Sequence, residues 1–344
     1  MSKVSIKEIK EKVETLFIRE GVDAETAKVV TEVIADTQMK GIVTHGFLRV
    51  PLYISCLRSG GVKPTGNIEV VSDTPTMALV SGKGGLGIAI AKNAAELAIK
   101  KAKECGVGIV NVRGSHHLGP TGYYANMCAE QGLIGICMSN GNPMIAPTGG
   151  KTRAIGNNPF AYAVPAGKYG TVLYDIAMSM GSDMKIIATA KAGGTLPDGW
   201  IIDKNGVPTN DPNQYTAGGV LLPFGGHKGY GLAVMVELLA ASMSGAGILS
   251  EAKAWNKTPS EEGGNIGHFI MAIDVSKLYD VSEFISRNEK IIDEIISAPT
   301  ADGVDKIYYP GEKEKITKAA CLESGMIEVA DDTLAAIDAL YNEK

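Results

Sequence analysis

At 344 residues the chain has room for two domains, or one large one, with a full apolar core. Its 45% apolar and 21% charged residues have the balance of a soluble globular protein, and a net charge of −5 leaves no basic stripe for nucleic acid. No apolar run reaches a membrane span, and five scattered cysteines without a Cys-x-x-Cys pair point to reduced thiols in a cytoplasmic protein rather than a disulfide framework.

The N-terminus reads as a charged amphipathic helix and not a signal peptide. Ser5-Ile6-Lys7-Glu8 is a capping box, and Ile6, Ile9, Val13, Leu16 and Phe17 follow at helical spacing. A second helix begins near Asp23, with Ala27, Val30, Val33 and Ile34 on one face. Next comes Thr44-His45-Gly46, with Arg49 and Tyr53 beyond it. His45, Arg49 and Tyr53 are spaced i, i+4, i+8, so on one helix they share a face. A guanidinium fork beside an imidazole and a phenol suits a small carboxylate with a neighbouring oxygen. The bland alternative is a solvated face behind an N-cap threonine. Pro51 should kink or restart the helix, and Gly60-Gly61 ends this helical portion.

Short apolar runs at 77–80, 107–112, 133–138, 160–164 and 172–176 then read as strands, with a helix over 88–105. Between the first strand and that helix, Gly82-Lys83-Gly84-Gly85-Leu86-Gly87 matches the dinucleotide fingerprint. The following strand ends in Val112-Arg113, with no acid to take ribose hydroxyls, and strand–helix units do not repeat afterwards. The glycines are therefore read as a turn before a tightly packed helix. Arg113-Gly114-Ser115-His116-His117-Leu118-Gly119 follows the second strand directly, where a histidine pinned by glycine turns is placed as general acid or base. Adjacent histidines diverge, and no acid or cysteine lies at zinc spacing, so no metal site is expected.

Residues 140–150 and 156–159, rich in Asn, Pro and Gly, describe fixed loops that either hold a ligand or only shape the chain. Gly225-Gly226-His227-Lys228-Gly229 opens an apolar helix over 229–243, as a site for a phosphate or as a structural turn. An exposed loop is expected over 257–264 and a helix over 284–296. The expected organisation is a helical module built from both ends of the chain, 1–66 plus 275–344, around a middle domain of mixed sheet and helices at 67–274.

In this order the clusters resemble the type 2 malate/L-lactate dehydrogenase family, which includes ureidoglycolate dehydrogenase and 2,3-diketogulonate reductase. The matching pieces are Thr44-His45-Gly46 with Arg49, His117-x-Gly119 with Tyr123 and Tyr124, Ala146-Pro147-x-Gly149-Gly150, Gly156-x-Asn158-Pro159, the stretch from Trp200 to Pro212, and Gly226-x-Lys228-Gly229-Tyr230-Gly231. They span nearly the whole chain. The resemblance implies an α+β fold with a non-Rossmann mixed-sheet nucleotide-binding domain, a homodimer, and NAD or NADP as cofactor, NAD slightly favoured. It implies a small 2-hydroxy acid or 2-oxo acid as substrate and no nucleic-acid or membrane partner. By the same resemblance His117 or His45 is the acid/base and Arg49 holds the carboxylate, with Thr44 and Tyr53 beside it. Gly141, Asp175, Ile176, Ala177, Lys228 and a segment near Lys306 lie along the cofactor.

One stretch departs from the family. After Asp175 the family shows a Thr-Ser pair, an alanine and a Gly-Lys, where this chain has Met178-Ser179-Met180-Gly181-Ser182-Asp183-Met184-Lys185. The substrate is therefore open between malate or lactate, ureidoglycolate and diketogulonate. A silent nucleotide-binding homologue and a metal-dependent hydrolase are the readings from other classes.

Overall fold

The computed structural model describes residues 1–253 and 264–343. Of the loop expected over 257–264, all but Gly264 lies outside the described residues.

The chain opens with strand β1 (Ser2–Ser5), which runs directly into helix α1 (Ile6–Arg19). The Ser5 hydroxyl accepts from the Glu8 amide, satisfying one of the orphan N–H groups of the first turn. Helix α2 (Ala24–Met39) starts the same way, with Asp23 accepting from the Thr26 amide. Helix α3 (Val50–Arg58) carries Pro51 in its first turn, where a missing N–H loses no hydrogen bond.

The middle of the chain builds one seven-stranded sheet. Its elements in chain order are β2 (Glu69–Asp73), β3 (Met77–Ser81), α4 (Gly87–Cys105), β4 (Val107–Ser115), α5 (Thr121–Glu130), β5 (Ile134–Ser139), β6 (Phe160–Pro165) and β7 (Thr171–Ile176). Then come α6 (Asp183–Lys191), a small sheet of β8 (Ile201–Ile202), β9 (Pro208–Thr209) and β10 (Val220–Leu221) with α7 (Asn213–Thr216) between the last two, α8 (His227–Val236), and β11 (Ile266–Ile273). The large sheet has the order β2-β3-β4-β11-β5-β6-β7. Among the described residues only the β3–β4 pair is parallel. The architecture is thus α+β on a mixed sheet, not a Rossmann fold, whose parallel strands would repeat.

One face of the sheet is covered by α4 and α5 through Ala94, Ala98, Tyr124 and Cys128, against Val110, Val112, Cys137 and Ile270. The other is covered by α8 and the segment after it, with Val236 and Ala240 against Met138 and Phe269. The helix expected over 229–243 is α8 followed by a π-helical segment, Glu237–Ser242.

The rest of the chain returns to the start. Helix α9 (Val281–Ile296) packs through Ile292 on Ala166 and Val172. Helix α10 (Glu312–Ser324), strand β12 (Met326–Val329) and helix α11 (Asp331–Asn342) follow. β12 pairs antiparallel with β1, and Ile327, Val329 and Ile337 complete the core formed by Val13, Phe17, Ile34 and Ile54.

Candidate active site

His45, Arg49 and Tyr53 do not share one helix. After α2 the chain makes two 3-10 turns, Val43–His45 and Phe47–Arg49, before α3 carries Tyr53. Gly46 separates them, and a side-chain carbon there would collide with Gln38. Gln38 holds the turn: its Oε1 accepts from the Phe47 amide at 3.2 Å and its Nε2 donates to the Glu328 carbonyl at 2.8 Å. The shared helical face expected for these three side chains is therefore absent, because the chain breaks at Gly46 and α3 starts only at Val50.

Tertiary packing brings the same side chains together by another route. β4 ends at Ser115, and the turn after it carries His117 over α3. The Tyr53 hydroxyl lies 2.6 Å from His117 Nδ1. The His117 and His45 rings stack, 5.4 Å between centroids and 20° from parallel. His45 Nδ1 is 3.1 Å from the Thr44 hydroxyl, and Arg49 Nε donates to the Thr44 carbonyl at 2.7 Å. Thr44, His45, Arg49 and His117 all line a cavity of about 830 Å³, with Tyr53 buried behind them.

Burial, and then the Arg49 charge, pull the His45 pKa down to about 4. Burial, followed by His45 and Arg49, holds His117 well below the ordinary imidazole value. Burial pushes the Tyr53 phenol up. At neutral pH both imidazoles are neutral. Each ring then has one nitrogen able to accept a proton and one able to donate.

Gly141, Asp175, Ile176 and Ala177 line the same cavity. The Asp175 carboxyl accepts from the Thr121 hydroxyl at 2.6 Å and the Gly122 amide at 2.7 Å, so it closes the N-terminus of α5. Burial raises its pKa against these two bonds. Lys228 and Lys306 are not among the lining residues. Lys228 is exposed in the first turn of α8, and Lys306 pairs with Glu312 at 2.5 Å, although Tyr308 and Tyr309 nearby do line the cavity.

The sequence reading missed Lys40, Arg153 and Lys313, which also line the cavity. Lys40 pairs with Asp36 at 2.5 Å, and Arg153 lies over the Tyr215 ring. The i, i+4 spacing of Asp36 and Lys40 on α2 was a visible signal, whereas nothing local marks Arg153 or Lys313. The departing stretch belongs to the site too: Ser179, Gly181, Ser182, Asp183 and Met184 line the cavity, and Met178 is buried below. Of the remaining histidines, His227 is exposed, while His116 and His268 are buried.

The family profile described as malate/L-lactate dehydrogenase matches residues 4–338. The chain is 40% identical over 296 residues to the malate/(S)-sulfolactate dehydrogenase of Methanothermus fervidus, covering 86% of this chain and 85% of that one. It is 30% identical over 342 residues to the NAD(+) ureidoglycolate dehydrogenase of Escherichia coli K12, covering 99% and 97%. Among solved structures, sulfolactate dehydrogenase from Methanocaldococcus jannaschii matches with a TM-score of 0.93 at 34% identity, over 99% of this chain and 97% of that one.

Proposed function

This chain belongs to the malate/L-lactate dehydrogenase family and is an oxidoreductase of hydroxy acids; from that premise we propose that it interconverts a small 2-hydroxy acid and its 2-oxo acid, with NAD favoured over NADP. Malate-type acids are the first candidates, then ureidoglycolate and diketogulonate. The observation that carries this reading is the pair of stacked neutral imidazoles beside Arg49 on one cavity wall.

A cavity of about 830 Å³ is larger than a small acid needs, and its remaining walls suit a dinucleotide. Met144, Leu173 and Ile176 offer apolar surface, the 140–142 loop offers backbone groups, and Arg153 and Lys313 offer charge for phosphates. Gly141, Ile176 and Ala177 would hold the cofactor along that wall, with Lys228 and Lys306 outside the lining as later contacts. When bound, the nicotinamide accepts or supplies the hydride.

In this proposal the Arg49 fork pairs with the substrate carboxylate, which fixes the hydroxyl-bearing carbon before the imidazoles. His117 takes the hydroxyl proton on Nε2 during oxidation and returns it during reduction. Tyr53, bonded to Nδ1, sets the ring orientation, and its hydroxyl either donates or accepts as the tautomer changes. His45, held by Thr44, hydrogen-bonds the reacting oxygen or takes over the acid/base role.

A homodimer in the cytoplasm is part of the same proposal. Exposed Leu232, Leu238 and Met243 near α8, and Ile291 and Ile295 on α9, support a second copy as partner. The shared core of both chain ends supports a separate helical domain.

The test is the near-ultraviolet absorbance of NADH, then NADPH, with oxaloacetate, sulfopyruvate, pyruvate and diketogulonate in turn, and NAD with ureidoglycolate. Turnover with one acid and one carrier is expected. Silence across the panel from protein that binds NADH would overturn the reading in favour of a binding protein without turnover.

A further inference from the structure

Two loops meet the cavity at the ends of two different strands. β4 delivers Ser115 and then the 116–117 turn; β5 delivers Ser139 and then the 140–142 loop. These strands are not neighbours. β11 lies between them, antiparallel to both. In β11, opposite Ser139, stands His268, fully buried.

The His268 ring joins both strand ends. Its Nδ1 is 2.9 Å from the Ser139 hydroxyl and its Nε2 is 2.8 Å from the Ser115 hydroxyl. The Ser139 hydroxyl also donates to the Asn140 carbonyl at 3.0 Å and the Ser115 hydroxyl to the His116 carbonyl at 3.4 Å, and the direction of each bond to the ring follows its tautomer. The register of β11 against β4 shifts between Ile266 and His268, a bulge that re-aims the residues around it. Next to the ring, the Gly267 amide donates to Asn140 Oδ1 at 2.8 Å, and Asn140 Nδ2 donates to the Gly247 carbonyl at 2.8 Å. Nothing in the proton chemistry above needs His268, yet both of its ring nitrogens are committed. Apolar strand residues would fill the space without these bonds, and buried polar groups persist in folds only when satisfied.

We propose that His268 is a positioning residue that holds the 116–117 turn and the 140–142 loop in one frame, so that a single imidazole sets the acid/base group relative to the cofactor wall. The inference rests on the reading of His117 as acid/base group and of the 140–142 loop as cofactor wall. His268 touches neither reacting atom; it acts through Ser115 on one side and Ser139 on the other.

The test separates the two arms. An asparagine places its amide where Nδ1 stands, and a glutamine reaches to where Nε2 stands. His268→Asn keeps the Ser139 arm and frees the Ser115 arm; kcat should fall roughly tenfold while NADH affinity, read by fluorescence titration, changes little. His268→Gln does the reverse, and the Kd for NADH should rise roughly tenfold with the smaller change in kcat. Ser115→Ala and Ser139→Ala remove one hydroxyl each and should reproduce the same split if the histidine variants fold poorly. Equal changes in both parameters for both arms, or a lowered melting temperature with neither parameter moved, would overturn the proposal. NADH titration needs no turnover. A His117→Ala variant of undiminished kcat would therefore remove the acid/base reading while the binding arm of this test still decides the role of His268.

Discussion

In the proposed chemistry Tyr53 determines how His117 works. With its hydroxyl on Nδ1, the nitrogen left for a substrate is Nε2, and the ring cannot turn without losing a buried bond. His45 is oriented in the same manner by the weaker hydroxyl contact to Thr44. His117→Ala should therefore lower kcat roughly a hundredfold or more, and His45→Ala by less. The pH profile of kcat/KM for oxidation adds a second reading of the same prediction. Burial keeps His117 well below the ordinary imidazole value, so the basic form persists at neutral pH. The rate should stay flat through neutrality and fall only in acid well below that ordinary value. A larger loss in the His45 variant, at equal substrate affinity, would exchange the two roles. The residue types were legible because each sits in a short polar cluster. The contact between Tyr53 and His117 was not, since 64 positions separate them and only the turn after β4, folded over Tyr53, brings them together.

At the scale of elements, the signals that local chemistry writes were readable. Ser5 caps the helix it was expected to cap, and Asp23 caps the helix expected to begin near it, because a side-chain oxygen at the N-cap meets its amide without help from the rest of the fold. The 3-10 turns around Gly46 and the π-helical segment at Glu237 were not readable. Both are set by partners far along the chain: Gln38 bridges to β12, and Glu237 accepts from Asn140 and Asn158. The glycine fingerprint shows the same lesson in reverse. Gly87 opens α4 directly beneath the 116–117 turn, and a side-chain carbon there would strike the carbonyl oxygens of His116 and His117. Gly82 faces Ile90 and the Gly114 carbonyl. The glycines thus give room to the turn that carries His117. Gly87→Ala should destabilise the protein by about 1–3 kcal/mol and lower kcat by displacing that turn. Gly231→Ala, in α8 with open space around it, should instead add about 0.5–1 kcal/mol. Melting curves and initial rates of the two variants check this, and a stable, fully active Gly87→Ala protein would refute the steric account.

For the whole molecule, what the sequence could not show is how its ends close on the sheet. β1 and β12 are four-residue strands, too short for a periodic signal, yet they join the first helix to the last. Between these ends the fold buries imidazoles, with a consequence for stability. Burial lowers His116 to about 4 and His268 to about 3, and both side chains are out of water in the folded protein. In the unfolded chain each titrates near the ordinary value of about 6.5. Below that pH the unfolded state binds protons that the folded state refuses, so stability falls as pH falls. Each group removes about 1.4 kcal/mol per pH unit until its folded value is reached, and the pair removes about 4 kcal/mol by pH 5. Carboxylates held low by hydrogen bonds, such as Asp23 and Asp280, lose their contribution only in stronger acid, below about pH 4. Asp175, raised by burial, works in the opposite direction once it protonates. The interval from about pH 6.5 to 5 therefore reports chiefly on the imidazoles. Urea midpoints measured through that interval should drop steadily, as about 4 kcal/mol is lost from the roughly 5–15 kcal/mol that hold a typical domain together. A midpoint that does not move would mean that the buried rings accept protons in place, and that the polar frame around His268 is open to water.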